Sequence, residues 1–205
     1  MTDATTPARP TAEARRQQIL DAASACARRA GFHGASMAEI AQAAGMSVGQ
    51  IYRYFENKEA IIAAIVDQDL AEMREKFAEM KSAGGSMVEV IVAQISEALA
   101  RHYQPDRAAL MLEVLAEAAR NPRVGAIVRE ADAVERTLKR SILDQVDLPN
   151  ADEAELAARG EVLSMLFEGM IVRGVNNPDG DRRAMTAVLS RVMRCLLTED
   201  RPAQA

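Results

Sequence analysis

Apolar residues recur at helical spacing along most of the chain, whereas the alternation of apolar and polar residues typical of strands is nearly absent. The first predicted helix runs from Thr11 to Ala30 and ends at Gly31, because glycine readily adopts the left-handed backbone that follows helices. Its inward side carries apolar residues at helical spacing, namely Ile19, Leu20, Ala23 and Ala27. The pattern therefore predicts an all-α protein.

Two short helices are predicted to follow the first one. Ser36 caps the earlier of the two, and Glu39 lies where its side chain can complete a capping box. Gly45 ends this helix, and Ser47 caps a second helix that is predicted to run to about Phe55. The chain between residues 36 and 55 is therefore expected to reverse direction within one tight turn.

The remainder of the chain divides into longer helices. Asn57 caps a helix that is predicted to continue to about Lys81, before the pair Gly84-Gly85. Prolines mark several of the later breaks between helical stretches. The remaining helices are predicted at roughly 86–102, 106–120, 123–146, 151–176 and 181–198. The chain is therefore expected to contain about nine helices.

Composition supports a helical core, and the charge is unevenly distributed. Only 3% of the 205 residues are aromatic and 11 are methionine, so the core must be mainly aliphatic, which favours helices over a β-sandwich. The net charge is −5, yet residues 1–60 contain seven basic and six acidic side chains. The excess of acidic residues therefore lies in the C-terminal part, and the net charge does not exclude DNA binding by the N-terminal part.

The cysteines and the apolar runs indicate where the protein functions. Cys26 and Cys195 are far apart and lie in helical stretches, which is typical of buried, reduced thiols. The N-terminal residues lack the apolar stretch of a secretory signal. The longest strongly apolar run, Ala60 to Val66, is too short to span a bilayer. We therefore expect a soluble, cytoplasmic protein without a membrane partner.

The most informative segment is residues 36–59, where two short helices are joined by the turn Ala44-Gly45-Met46-Ser47. The inward stripe of the first helix consists of Met37, Ile40, Ala41 and Ala44. In the second helix, Ile51 and Phe55 face the core, and the residues expected on the opposite side are Val48, Gly49, Gln50, Arg53 and Tyr54. A small residue at the helix crossing, a glycine turn and an exposed second helix are typical of a helix-turn-helix.

Residues 15–60 resemble the TetR-type transcriptional regulators. The motif that carries the resemblance is AGMSVGQIYRYFENKE at residues 44–59, together with Ser36 and Ile40-Ala41. Ser36 stands where the family usually has Thr, and Met46 where it usually has Val, and both replacements keep the role of the position. Beyond residue 60 only the helical pattern and the length agree.

The resemblance implies the domain organisation. It predicts an N-terminal three-helix DNA-binding domain at 15–58, after a flexible arm at 1–14. An effector-binding and dimerisation domain is predicted at 59–198, followed by a tail at 199–205.

The resemblance also implies which residues contact DNA. Ser47 would present its hydroxyl and nearby amides to a phosphate, while Gly49 would allow close approach and Gln50 could bind adenine in the major groove. The tyrosine hydroxyls and Lys58 would contact phosphates. Arg16 could contact DNA or remain solvated, and the same alternatives stay open for Arg15. The predicted set is Arg15, Ser36, Ser47, Val48, Gly49, Gln50, Tyr52, Tyr54 and Lys58.

The C-terminal part contains apolar residues that predict a pocket and an interface. Methionine and aliphatic side chains suit an adaptable site for a small apolar effector, although core packing explains the same residues equally well. The candidate effector residues are Ile95, Leu99, Met111, Val114, Leu115, Met165 and Met170, and the polar candidates are His102, Glu113, Glu117 and Arg173. The resemblance implies a four-helix dimer interface from the last two helices, with Leu163, Phe167, Ile171, Met185, Val188, Leu189, Val192 and Leu196.

Together these features predict a ligand-responsive transcriptional repressor. It would bind a palindromic operator in double-stranded DNA as a homodimer, with recognition helices about 34–36 Å apart, and a small effector would release it. One alternative is a regulator without an effector, whose C-terminal domain serves only for dimerisation or protein binding. Another is a helical enzyme that uses the C-terminal cavity.

The sequence offers little support for an enzyme or a metalloprotein. Residues 45–49 match G-x-S-x-G, but a nucleophile elbow needs a strand before the serine, and a helix is predicted there. His33 and His102, together with the two cysteines, are too few for a zinc site. We therefore expect no catalytic residue, no cofactor and no metal.

Overall fold

The computed structural model describes residues 11–198, which form nine α-helices and no strand. The helices are α1 (Ala12–Gly34), α2 (Met37–Ala43), α3 (Val48–Ile51), α4 (Lys58–Ser82), α5 (Met87–His102), α6 (Pro105–Arg120), α7 (Pro122–Leu143), α8 (Glu153–Asn176) and α9 (Arg182–Leu197). The predicted all-α class is confirmed. The predicted tail at 199–205 and residues 1–10 of the predicted arm lie outside the described residues.

The chain separates into two compact units, and the division falls between Ile65 and Val66, inside α4. In the first unit, α1 packs against α2, and α2 packs against α3. Thr11 caps α1, because its side-chain oxygen accepts a hydrogen bond from the backbone N–H of Ala14 at 3.1 Å. Gly31 has a φ of 71° and breaks the regular helix where the sequence predicts its end. The kink allows Phe32 to enter the core, where it is fully buried.

Two predicted helix ends are wrong. α3 ends at Ile51 rather than Phe55, because the N–H groups of Arg53 and Tyr54 bond to carbonyls three residues back, at 3.1 and 3.0 Å, and so tighten the chain. α7 ends at Leu143 rather than residue 146, where the N–H of Val146 makes the same kind of bond at 2.9 Å. Periodicity predicts these residues as helical because a tight turn keeps similar side-chain spacing.

In the second unit, α8 packs against α5, α6 and α7, and α9 packs against α5. The main buried cluster includes Ile91, Ile95, Leu163 and Leu197. Gly174 lies where α8 meets the end of α5, and a Cβ there would be 3.0 Å from the carbonyl oxygen of His102. A glycine is therefore required for the two backbones to approach this closely.

The cysteines differ from the prediction of two buried thiols. Cys26 is buried and Cys195 is exposed, and neither forms a disulfide. Cys195 is exposed because it lies on the outer side of α9, two residues after the buried Met193. Among the helices of residues 11–198, none is long and apolar enough to cross a membrane.

Candidate DNA-binding surface and effector cavity

Two consecutive capping boxes fix the helix-turn-helix. The Ser36 hydroxyl accepts from the N–H of Glu39 at 3.2 Å, and the Glu39 carboxylate accepts from the N–H of Ser36 at 2.7 Å. In the second box, the Ser47 hydroxyl accepts from the N–H of Gln50 at 3.3 Å, and Gln50 Oε1 accepts from the N–H of Ser47 at 2.8 Å. Both predicted serine caps are therefore confirmed.

The capping boxes also bear on two predicted DNA contacts. Ser36 donates its hydroxyl proton to the Glu39 carboxylate at 2.9 Å, and these hydrogen bonds from Ser36 lower the pKa of Glu39. Ser36 therefore lies beside a negative charge, which would repel a phosphate. Gln50 holds its side-chain oxygen on the cap of its own helix, which leaves its amide N–H groups to reach a base.

The turn between the two helices adopts the predicted conformation. Gly45 has a φ of 61°, in the left-handed region, and the N–H of Met46 donates to the carbonyl of Ala41 at 2.9 Å. Ala41 is fully buried, so its small side chain allows close packing at the crossing.

Side chains of α1 hold the turn and the C-terminal end of the helix-turn-helix. Arg16 Nη1 donates to the carbonyl of Tyr54 at 3.1 Å, and its guanidinium lies 4.4 Å from the centre of the Phe55 ring. Gln18 Nε2 donates to the carbonyl of Ala44 at 2.7 Å, and Arg15 Nη1 donates to Gln18 Oε1 at 2.9 Å. Arg16 is thus a structural residue, a role that sequence reasoning missed because the contact spans 38 positions.

The exposed side of this motif brings together part of the predicted DNA-binding set. Val48 is 44% exposed and Tyr52 is 51% exposed. Gly49 and Gln50, which lie between them, are also exposed, whereas Ile51 is buried.

The two other predicted phosphate contacts are less exposed, and Tyr54 is half-buried. Lys58 is half-buried too, and its ammonium donates to the carbonyl of Phe32. The surface therefore combines one apolar, one small and several hydrogen-bonding groups.

The second unit contains a cavity of about 310 Å³, which is at the small end of ligand-binding pockets. Four of the predicted effector residues line it, namely Ile95, Met111, Val114 and Leu115. The other three do not. Leu99 and Met170 belong to a separate buried cluster with Tyr103, and Met165 is 60% exposed. Of the four polar candidates, only His102 lines the cavity.

Glu117 has a structural environment instead. It is 4% exposed, and its carboxylate accepts from Arg120 Nε at 2.9 Å and lies within reach of the Asn121 amide. Arg120 therefore compensates the buried charge of Glu117 where α6 passes into α7.

Ion pairs surround the cavity at the end formed by α4, α5 and α6. Arg101 donates to Asp69 at 3.0 Å and to Glu72 at 2.6 Å, and Arg107 also donates to Asp69. On α7, Lys139 Nζ donates to Ser164 Oγ at 2.8 Å and to Glu135 Oε2 at 3.2 Å. These polar groups were not predicted, because they come from five different helices that the sequence does not place side by side.

Helix α8 carries two apolar faces, and the predicted dimer stripe on it is the inner one. Leu163, Phe167 and Ile171 line the cavity, because they point toward the middle of the second unit. The outer face of α8 instead exposes Val162, Met165, Val172 and Val175.

On α9 the predicted stripe is divided between the two sides. Val188 and Val192 are exposed, by 49% and 37%. Met185, Leu189 and Leu196 pack against the buried clusters of the second unit. A wide apolar face at helical spacing does not reveal which of its edges is covered by the chain itself.

Comparison with known proteins gives matches along both units. A model of the bacterial regulatory proteins of the tetR family matches residues 19–65, and one of the tetracyclin repressor-like C-terminal domain matches residues 83–195. The transcriptional regulator UidR of Escherichia coli is 38% identical over 128 residues, so the match spans 60% of UidR and 60% of this chain. The transcriptional repressor Rv1474c of Mycobacterium tuberculosis is 28% identical, over 87% of this chain and 91% of that protein.

A solved structure shares the fold over almost the whole chain. Salmonella enterica GusR superposes with a TM-score of 0.75 at 23% identity, covering 96% of this chain and 99% of that one. Among residues 11–198, no three His, Cys, Asp or Glu side chains are grouped so that they could hold a metal ion.

Proposed function

Because the chain belongs to the tetR family of bacterial regulatory proteins, we propose that it is a transcriptional repressor that binds a palindromic operator as a homodimer and is released by a small effector. The exposed residues Val48, Gly49, Gln50 and Tyr52, which lie side by side at α3, carry the proposal. They offer a methyl contact for thymine, close backbone approach, an amide for base edges and a hydroxyl for phosphate.

Gel-shift titration against the DNA upstream of the protein's own gene tests this function. We expect operator binding about a thousandfold or more tighter than binding to scrambled DNA of the same length. Equal affinity for both DNAs would contradict the proposal. Relief of binding by an effector would also separate this function from that of a regulator without one.

Gln50 should contribute to both stability and base recognition. Gln50→Ala removes the capping oxygen, so we expect about 1 kcal/mol less stability as well as weaker operator binding. Gln50→Glu can keep the capping box with Ser47 but removes the amide donor and adds a negative charge. We therefore expect Gln50→Glu to keep the melting temperature and still lose about tenfold in operator affinity. Thermal melts and gel shifts on both variants measure the two effects.

Equal operator binding by wild type and Gln50→Glu would show that Gln50 serves only as a cap. Ser47→Ala is the control for the melting temperature only: it removes the reciprocal cap and leaves the Gln50 amide in place, but the Ser47 hydroxyl is itself a predicted phosphate contact.

Lys58 and Tyr52 should act on phosphates rather than on bases. Lys58→Met is expected to weaken binding to operator and scrambled DNA alike and to reduce the slope of log K against log salt by about 1. Tyr52→Phe should weaken binding to both DNAs without changing that slope, because the hydroxyl carries no charge. Affinities measured at salt concentrations from about 50 to about 200 mM provide the comparison. A change confined to the operator would contradict a phosphate contact.

The dimer is proposed on the outer apolar faces of the last two helices. Val172 on α8 and Val188 on α9 are 43% and 49% exposed, although their neighbours on the same helices are packed inside. Burying such residues against a second copy would stabilise the pair by the hydrophobic effect. Two copies are also needed to contact both half-sites of a palindrome.

The effector is proposed to bind in the cavity of the second unit, whose apolar lining includes Ile95, Met111 and Val114. Stabilisation of the protein by apolar compounds in a thermal-shift screen would support this site.

We propose no catalytic activity, in line with the regulators to which the chain is similar. We also propose that the protein functions in the cytoplasm.

A further inference from the structure

The polar side of the cavity leaves two hydrogen-bonding groups unused. Lys139 has three N–H groups, of which one donates to Ser164 and one to Glu135. The Lys139 side chain is only 13% exposed, and within residues 11–198 its ammonium has no third hydrogen-bond partner. That group can serve a ligand oxygen, because Lys139 lines the cavity.

The second unused group is Nε2 of His102. The other ring nitrogen, Nδ1, lies 2.7 Å from the carbonyl oxygen of Ala98 and must carry the proton in that bond. Burial lowers the pKa of His102, and the bond to Ala98 opposes this shift only in part. A neutral imidazole with its proton on Nδ1 offers an acceptor at Nε2. Within residues 11–198, that nitrogen makes no hydrogen bond, and it is accessible rather than fully enclosed.

The charges around the cavity do not favour an ionic ligand. Four basic and five acidic side chains line it. Each basic side chain already has a carboxylate partner. Lys76 pairs with Glu97 at 2.8 Å and Lys139 with Glu135, while Arg101 and Arg107 both pair with Asp69. A carboxylate ligand would therefore lose its hydration without gaining an unpaired cation. An ammonium ligand at the Lys139 site would be repelled by the Lys139 charge, and the carboxylate of Glu168, which also lines the cavity, is exposed and already solvated.

We infer that the effector is an uncharged molecule with an apolar body and one hydroxyl group, whose oxygen accepts from Lys139 Nζ and whose proton is donated to His102 Nε2. The inference deepens the proposed effector function and rests on it. A hydroxyl group matches both unused partners at once, whereas an ether can only accept and a carboxylate adds an unpaired charge.

Matched compounds test the inference directly. Six apolar tails, including n-octyl, 4-phenylbutyl and 2-naphthylethyl, are each prepared as the alcohol, the methyl ether, the carboxylate and the primary amine. Binding to the full chain without DNA is measured by calorimetry. For the tails that fit, we expect the alcohol to bind about tenfold more tightly than each of the other three forms.

Two variants identify the partners. His102→Phe keeps a ring but removes the acceptor, so alcohol and methyl ether should then bind equally. Lys139→Met should weaken the alcohol and the ether alike, by about tenfold. Lys81→Met removes an exposed lysine that does not line the cavity and should change neither preference. Circular dichroism on each variant verifies that the helices are intact.

Three outcomes would overturn the inference: tighter binding of the carboxylate, an unchanged alcohol preference in His102→Phe, or no binding by any compound. Operator binding is measured separately on the same preparations. If the operator is bound but the compounds are not, the effector chemistry is wrong while the DNA-binding function stands. If neither is bound, the proposed function fails as well.

Discussion

The variant Val188→Asp is expected to be a monomer that has lost about a hundredfold or more of its operator affinity. Val188 is 49% exposed on α9, so the aspartate is solvated in a single chain and the second unit should stay folded. In the proposed dimer the same carboxylate would be buried against the partner copy without a cation, which costs more than the interface gains. Losing the partner removes the second half-site contact and with it the gain from linked binding.

Light scattering and gel shifts measure the two parts of this result. Ala119→Asp introduces the same charge on an exposed position of α6 and should leave both the mass and the affinity unchanged. Leu163→Asp should behave differently again, because Leu163 is buried and a charge there should unfold the second unit. A Val188→Asp protein that remains a dimer at micromolar concentration would contradict the proposed interface.

The second large effect is expected at Gly174. In Gly174→Ala the new Cβ would lie 3.0 Å from the His102 carbonyl oxygen and 3.2 Å from the Tyr103 Cα, both of which belong to the backbone. The helices must move apart, and overpacking of this kind costs about 2 kcal/mol. For a chain of this size that lowers the melting temperature by about 4–8 °C at equal protein concentration.

Gly160→Ala provides the matched control on the same helix. A Cβ at Gly160 would meet only Leu143 Cδ1, at 3.8 Å, which is ordinary contact. Alanine favours helix over glycine by about 1 kcal/mol, so this variant should melt at a higher temperature than wild type. Calorimetric melts that show both variants shifting in the same direction would contradict the close approach of α8 and α5.

The extent to which sequence predicts this protein differs between local and distant features. Helix starts depend on a residue and its near neighbours, so the boxes formed by Ser36 with Glu39 and by Ser47 with Gln50 are predictable from spacing alone. The end of α3 is less predictable, because tight-turn bonds after Ile51 preserve the apolar spacing of a helix.

Distant features depend on packing that the sequence does not order. Leu163 and Val162 are adjacent in the chain, yet one is buried in the second unit and the other is exposed on the outer face of α8. The approach of Lys139 to Ser164 spans 25 positions, and no local pattern marks either residue. Apart from His102, which was predicted from the sequence, the polar groups of the cavity therefore emerged only from the folded arrangement.

The shortness of α3 has a consequence for how the protein could find its sites in a genome. A helix of four residues, Val48–Ile51, with Ile51 buried, can place only about three side chains at base edges. A sequence of three or four base pairs recurs by chance about once in every 60 to 260 base pairs, so a single half-site carries too little information to be unique. Specific recognition therefore also requires a second copy of the chain bound to a second half-site at a fixed distance. The deformability of the DNA between the half-sites contributes as well. A change in the number of base pairs between the two half-sites of an operator should therefore affect binding more than most single substitutions in α3.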